Sequence, residues 1–412
     1  MEGPTPDRRT RLLVLGAGPA QLGLLAAAHK RDLHVIAVDR DPDAPGFRYA
    51  DRRAIISTED ERGIERLAEA ERVEGIIAPG IDWPVGIAAR VAAKLGLPHP
   101  LSPESGVLAT SKARQRERFA AADVPQPQYQ ACRTVDEARW AADELGYPCV
   151  VKAPDRQGQR GLSVVRSRGE LDAAVTAALD VSRSGALLVE SFVAGREVTV
   201  NAFLVGGRFH ALTVTDRHLA EATAFGVALA HTWPSAQPTP QIAKAIDAAR
   251  KAAAALGIAE GPTYTQVLVS DDGAVVGELA ARLGGGHDAE LCRAALRVNL
   301  NQLAISAALG EQVPRNRLAP QARVGGACVR FLVAPRGELR AVRGLKEAYE
   351  SEGVRGIRIY RKPGHVFGPL RSGSDRAGAI LATGDSAEEA LARADRAQSL
   401  VRFEVEAARV VA

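Results

Sequence analysis

The first hundred residues alternate short apolar runs with amphipathic segments, and this alternation limits the fold more than any other feature of the 412-residue chain. RLLVLGAG (11–18) predicts a buried strand and QLGLLAAAHK (21–30) a helix. DLHVIAVD (32–39) predicts a second strand, GIERLAEAERV (63–73) a helix, GIIAPG (75–80) a third strand and WPVGIAARVAAKLG (83–96) a third helix. Strands separated by helices must pair in parallel, because the crossover returns the chain to the same end of the sheet. The class is therefore α/β, with a Rossmann-like domain predicted over 11–105 behind a loose tail at 1–10.

The turn Gly16-Ala-Gly18-Pro-Ala-Gln21 lies between a strand and a helix, and Asp39 ends the next strand. That spacing is close to a dinucleotide fingerprint, in which glycines let a pyrophosphate approach a helix N-terminus. Gln21 stands where the third glycine belongs, and Pro19 lacks a backbone donor. A turn that packs, or touches a substrate, is favoured over a nicotinamide site, and an NAD-dependent oxidoreductase is kept as a rival. Leu12 to Ala28 carries no charge and follows three arginines. Its glycines and proline, and a length below the ~20 residues of a span, predict strand, turn and helix, not a membrane anchor.

Other function classes are excluded by what is missing. With 53 basic and 49 acidic residues the net charge is only +4, too little for a polyanionic partner such as nucleic acid or a membrane surface. The four cysteines form no CxxC, which predicts reduced thiols in a cytoplasmic protein. GxxxxGK[ST], HExxH and GxSxG are all absent.

Further along, SKARQRERFAAADVP (111–125) predicts a helix. PCVVKAP (148–154), the Gly-rich DRQGQRG and LSVVR (162–166) predict a hairpin, followed by a helix and the strand ALLVESFV (186–193). REVTVNAFLVGGRFHALTVTD predicts a hairpin at Gly206–Gly207, and YTQVLVS and AVVGELA another at Asp271–Gly273. ACVRFLVAPRGELRAV predicts a third across Pro335–Gly337, and a helix is predicted at Ser386–Val401.

Several charged residues keep an order that suits phosphate chemistry. Lys112 opens a helix, and Lys152 ends a strand just before the Arg156–Gly161 loop. Glu190 and Glu197 flank Gly195, and Glu278 and Arg282 lie on a strand running into Gly284–Gly286. Two lysines from separate elements suit a polyphosphate, and glycines free backbone N–H groups to cap phosphate oxygens. A strand carboxylate suits Mg²⁺, and an arginine four residues later suits a transferring phosphoryl group.

In this order the segments resemble the ATP-grasp superfamily of carboxylate–amine ligases, over nearly the whole chain. The resemblance implies an ATP-grasp fold: the Rossmann-like N-terminal domain, a small central α+β domain (106–190), a catalytic domain (191–320) and an extra C-terminal α+β subdomain (321–412). It implies ATP and Mg²⁺ (or Mn²⁺) as cofactors. Lys112, Lys152, Gly158 and Gly161 take the phosphates, Glu190, Ser191, Phe192 and Val193 the adenine edge, and Glu197 the ribose. Glu278 and Gln266 are the implied metal ligands, with Arg282 and Lys152 catalytic. His210, Asp216, Arg217, Gly285, Gly286, His287 and Asp288 are the implied substrate contacts. Many family members have a carboxylate at Gln266 and an Asn at Ala280, and this chain departs at both. ELAARLGGGHDAEL and the C-terminal segment are similar to the L-amino-acid ligase group. The implied partners are a small-molecule carboxylate and an amine, and a homodimer is compatible with the fold. A purine-biosynthesis carboxylase or synthetase, and an ATP-binding regulatory protein with weakened turnover, are the alternatives.

Overall fold

In the first sheet, side-chain alternation decides which neighbour each residue meets. A computed structural model describes residues 9–220 and 226–406; most of the predicted 1–10 tail therefore lies outside the described residues. Strand Arg11–Leu15 is central in a parallel four-stranded sheet, between His34–Val38 and Gly75–Ile77, with Arg52–Ala54 at the edge. Leu13, Leu15, Ile36 and Val38 face helix Trp83–Leu95, while Leu12, Val14, Val35 and Ala37 face helix Leu22–Lys30. A sheet covered on both faces needs continuous apolar strands, which is what RLLVL and HVIAV supply.

The turn after the first strand satisfies itself. Gly16 has φ +108°, the Ala17 N–H donates to Asp39 Oδ2 at 2.9 Å, and the Gln21 amide donates to Pro79 O at 2.6 Å. A Cβ on Gly16 would come within 2.9 Å of Gln21, whose side chain fills the space beneath the turn.

A second, antiparallel sheet runs Tyr129–Cys132, Leu187–Ser191, Cys149–Lys152, Leu162–Val165, with helices Val135–Leu145 and Arg168–Val181 contributing to its core. A third sheet has eight strands, ordered Gly273–Ala280, Gly261–Ser270, Arg196–Val205, Arg208–Leu219, Ala228–Trp233, Gly326–Leu332, Gly378–Gly384 and Val354–Ile359. Strands from either side of residue 320 thus share one sheet. Gly206 and Gly207, at φ +58° and +73°, make the two-residue turn of the predicted hairpin, with Val205 opposite Arg208. No described helix is long and apolar enough to cross a membrane.

One predicted hairpin is corrected. Gly326–Leu332 pairs with Ala228–Trp233 and Gly378–Gly384, whereas Gly337–Arg343 pairs with Val366–Phe367 and Arg402–Glu406 in a separate three-stranded sheet. The Pro335–Gly337 corner turns the chain, but remote partners compete successfully for both strands. Val329 and Phe331 are buried in a core with helix Asp288–Leu296, while Leu339 joins a small core with Phe367.

Candidate active site

Four elements carry the lysines and carboxylates of the cleft. Helix Lys112–Ala121 is capped by Ser111 and presents Lys112 at its first position. Lys112 Nζ lies 2.9 Å from Glu278 Oε2 and donates to the Arg156 carbonyl at 2.7 Å. In the hairpin sheet Glu190 sits opposite Val150, so Lys152, two residues on, projects on the same face and its Nζ reaches Glu190 Oε2 at 2.8 Å. Gln115 clamps the strand of Glu278, donating to Leu279 O at 2.8 Å and accepting from Leu279 N at 3.1 Å.

The electrostatics divide the two lysines. Burial disfavours the Lys112 ammonium, but Glu278 and Asp82 outweigh it and raise its pKa. Burial wins at Lys152, with Arg116 and Lys112 adding to it, and its pKa falls to about 8 despite Glu190. Both carboxylates stay ionised. Burial pushes the Glu190 and Glu278 carboxyls up, and the surrounding cations overcome it and hold both below the usual range.

Arg116 is a cleft residue that the order of charged segments did not reveal. It is 1% exposed, its Nε donates to Glu190 Oε1 at 2.8 Å, and its Nη atoms donate to the carbonyls of Val276 and Gly277 at 3.0 and 2.6 Å. It stands one helical turn after Lys112, the spacing that puts two side chains on one face, and that spacing is the signal that could have found it. Asp82 was missed too. Arg282 Nε donates to Asp82 Oδ1 at 2.8 Å, and Arg282 stands over the Tyr264 ring. The Asp82 N–H donates to Gln157 Oε1 at 2.6 Å, joining the glycine loop to the N-terminal domain. An acid just beyond the carboxyl end of a parallel strand is the readable cue here.

The predicted substrate residues separate into two groups. Arg217 is buried against Glu197. With its amide oriented to satisfy both neighbours, the Gln266 oxygen accepts from Arg217 Nη1 at 2.9 Å and its nitrogen donates to Glu197 at 3.3 Å. Asp288 Oδ1 lies 3.3 Å from His231 Nδ1, and Asp288 Oδ2 accepts from the Gly286 N–H at 3.2 Å. A Cβ on Gly286 would meet His231 at 2.7 Å, and one on Gly285 would meet the Gly80 carbonyl at 3.0 Å. His287 takes φ +60° and lies 2.5 Å from the Tyr360 hydroxyl through Nε2. Arg376, over the Phe331 ring at 3.7 Å, has its pKa lowered by burial to about 10.

His210 and Asp216 are corrections. His210 stands opposite Phe203 at the far end of a twelve-residue strand, and the cations that lower its pKa alongside burial are Arg208 and Arg315. At ~3.3 Å per residue it is roughly 20 Å from Arg217. Asp216 precedes Arg217 and so faces the other side of the strand, where it accepts from Ser235 Oγ at 2.5 Å and Ala236 N at 2.7 Å. It fastens the next turn.

Ser191 is tied to Gln128, donating through its N–H at 2.9 Å and accepting through Oγ at 3.1 Å. The chain then leaves strand geometry at Phe192–Gly195, and Phe192 is exposed. Gly158 and Gly161, at φ +67° and +68°, lie in the loop above Lys112.

Mg²⁺ takes hard oxygen ligands and keeps waters. Glu278 offers such a carboxylate. Gln266 is directly opposite on the paired strand. No group of three or more His, Cys, Asp or Glu stands together to hold a metal among the described residues. The donor set fits an ion held by Glu278, with phosphate oxygens and water completing its shell.

An ATP-grasp domain model matches residues 117–289, and an L-amino acid ligase C-terminal domain 2 model matches 330–406. The chain is 29% identical to a formate-dependent phosphoribosylglycinamide formyltransferase of Burkholderia vietnamiensis, over 97% of this chain and 96% of that protein. Among solved structures, it is similar to the L-amino acid ligase of Bacillus licheniformis (TM-score 0.83, 20% identity, 97% of this chain and 100% of that one). It is also similar to a phosphoribosylglycinamide synthetase of Anaerococcus prevotii (TM-score 0.78, 19% identity, 97% and 100%). The chain therefore carries an ATP-grasp domain at residues 117–289, followed at 330–406 by a segment that matches the L-amino acid ligase C-terminal domain 2.

Proposed function

We propose that the protein joins an amino-acid carboxylate to an amine through an acyl phosphate, converting ATP to ADP. The observation that carries this reading is the convergence of Lys112, Lys152, Glu278 and Arg282, from three segments of the chain, beneath one glycine loop. The match of residues 330–406 to an L-amino acid ligase domain supports amino acids as substrates.

In this reading a carboxylate oxygen attacks the γ-phosphorus and the β–γ bridge bond breaks, releasing ADP. The amine nitrogen then attacks the acyl carbon, phosphate leaves, and the nitrogen sheds a proton. Lys112 and Lys152 bind phosphate oxygens, trading Glu278 and Glu190 for them in part. Arg282 steadies the transferring group beside Gly284–Gly286. Mg²⁺ at Glu278 would supply Lewis-acid charge neutralisation. Phe192 and Val193 leave backbone groups for the adenine edge, and Glu197, held by Arg217, faces the ribose. The loop 156–161 excludes water, which would hydrolyse the acyl phosphate.

The test is amine-dependent ADP release across amino-acid pairs, with Lys152→Ala as the blank. A second reading, formyl transfer to a phosphorylated amine, is favoured by the relative matched over 97% of the chain. ADP release with formate and phosphoribosylglycinamide, but with no amino-acid pair, would select it. Binding of Mg·ATP with no ADP release under either screen would select a regulatory nucleotide-binding role.

A further inference from the structure

A cavity of about 520 Å³ opens between helix Asp288–Leu296 and the strands Gly326–Leu332, Gly378–Gly384 and Val354–Ile359. It shares no lining residue with the cleft that holds Lys112 and Glu278. Its floor is apolar, made by Val329, Ile357, Ala379 and Leu381, and its rim is cationic. Arg293 lies in the last turn of the helix and Arg297 caps its end at φ +61°, both lining the cavity, and Arg323 enters from the segment before strand Gly326–Leu332. All three are exposed, and none has a carboxylate within ion-pair distance among the described residues.

Deeper in, the guanidinium groups already have partners. Arg358 lies 3.4 Å from Glu290 and 3.2 Å from His287 Nδ1, and Arg355 donates to Thr383 Oγ1 at 2.9 Å. Glu290 is the cavity's one acid and also accepts from Asn301 at 3.2 Å. Five guanidinium groups therefore surround a concave apolar floor with a single carboxylate among them. Like charges around one cavity repel, and an anion among them relieves that repulsion. Guanidinium forks match carboxylate and phosphate oxygens two at a time. The volume lies within the ~300–1,000 Å³ typical of small-ligand pockets.

We propose that this cavity is a binding site for a small organic anion, with two or more negative charges on an apolar body, separate from the nucleotide cleft. The anionic end meets Arg293, Arg297 and Arg323, and the body lies on Val329 and Leu381. The inner wall is His287 and Glu290, at the start of the helix that follows Gly284–Gly286, so an occupant would touch the element that holds the reaction loop.

The experiment titrates phenyl phosphate into the full chain by calorimetry, with ADP and Mg²⁺ saturating. The expected result is one site, bound more tightly than inorganic phosphate, which has the charge without the ring. Affinity should fall tenfold or more in Arg293→Gln/Arg297→Gln, with ADP affinity unchanged as the control for folding. The proposal is overturned by no binding in the millimolar range, by equal binding in the double variant, or by loss of the site when ADP is present. It is also overturned if sedimentation shows a dimer that the double variant dissociates, because the arginines would then meet a second copy of the chain.

Discussion

Arg116 and Lys152 hold opposite ends of one carboxylate, and they are expected to fail differently. Replacing Arg116 with Met leaves the buried Glu190 with one cation and strips two carbonyls of their donor. Breaking a buried pair in this way costs about 3–5 kcal/mol. Urea unfolding of Arg116→Met should show a loss of that size together with weaker ATP binding. Lys152 should instead report through protons. Its free pKa, near 8, is low because burial outweighs Glu190. A polyphosphate beside it favours the ammonium and raises that value. Between the free and bound pKa values ATP binding must take up protons. Calorimetry at pH 8.5 in two buffers of different ionisation enthalpy should show a net uptake that disappears in Lys152→Met. The two lysines were readable because only 8 of 412 residues are Lys, so each stands out at a strand end or helix start. Arg116 was hidden among 45 arginines, where identity alone singles out nothing.

At the scale of elements, the glycine loop makes two positions of the same backbone conformation unequal. Gly158 and Gly161 both have left-handed φ, but a Cβ on Gly158 meets open space. On Gly161 it would come within 2.5 Å of Val181 Cγ2 and 3.3 Å of the Ala178 backbone, where the loop seats on helix Arg168–Val181. Gly158→Ala carries only the left-handed penalty, about 1–2 kcal/mol, and should raise the ATP KM a few-fold with kcat nearly kept. Gly161→Ala must also lift the loop, because valine is stiff about χ1. Steady-state kinetics should show kcat down at least tenfold. Strand and helix periods made most elements legible, and Gly206–Gly207 marked its hairpin. The Pro335–Gly337 corner carries the same local signals, yet its strands enter different sheets. Turn chemistry is local, whereas a strand's partner is chosen by distant apolar surface that no short segment displays.

Across the whole molecule, one ion pair joins residues 200 positions apart, Asp82 of the parallel-sheet domain and Arg282 just beyond a strand of the eight-stranded sheet. The order of charged segments did not reveal that pairing, because an ion pair leaves no mark on either partner's neighbours in sequence. The same limit misplaced His210: a twelve-residue strand spans roughly 35–40 Å, so residues on one strand need not share a site. Burial disfavours the Arg282 cation, and Asp82 with Tyr264 more than restores it, so the guanidinium is held charged and oriented from the N-terminal domain. Asp82→Asn keeps the shape and removes the charge. If Asp82 orients Arg282 for the transferring group, kcat should fall about 100-fold, near the ~2.7 kcal/mol lost with one electrostatic donor to a transition state. The ATP KM should stay within about threefold, because Lys112 and Lys152 are untouched. A purely structural Asp82 would lower the melting temperature and leave kcat alone. Measuring both on one preparation separates a domain that only packs from one that supplies part of the reaction centre.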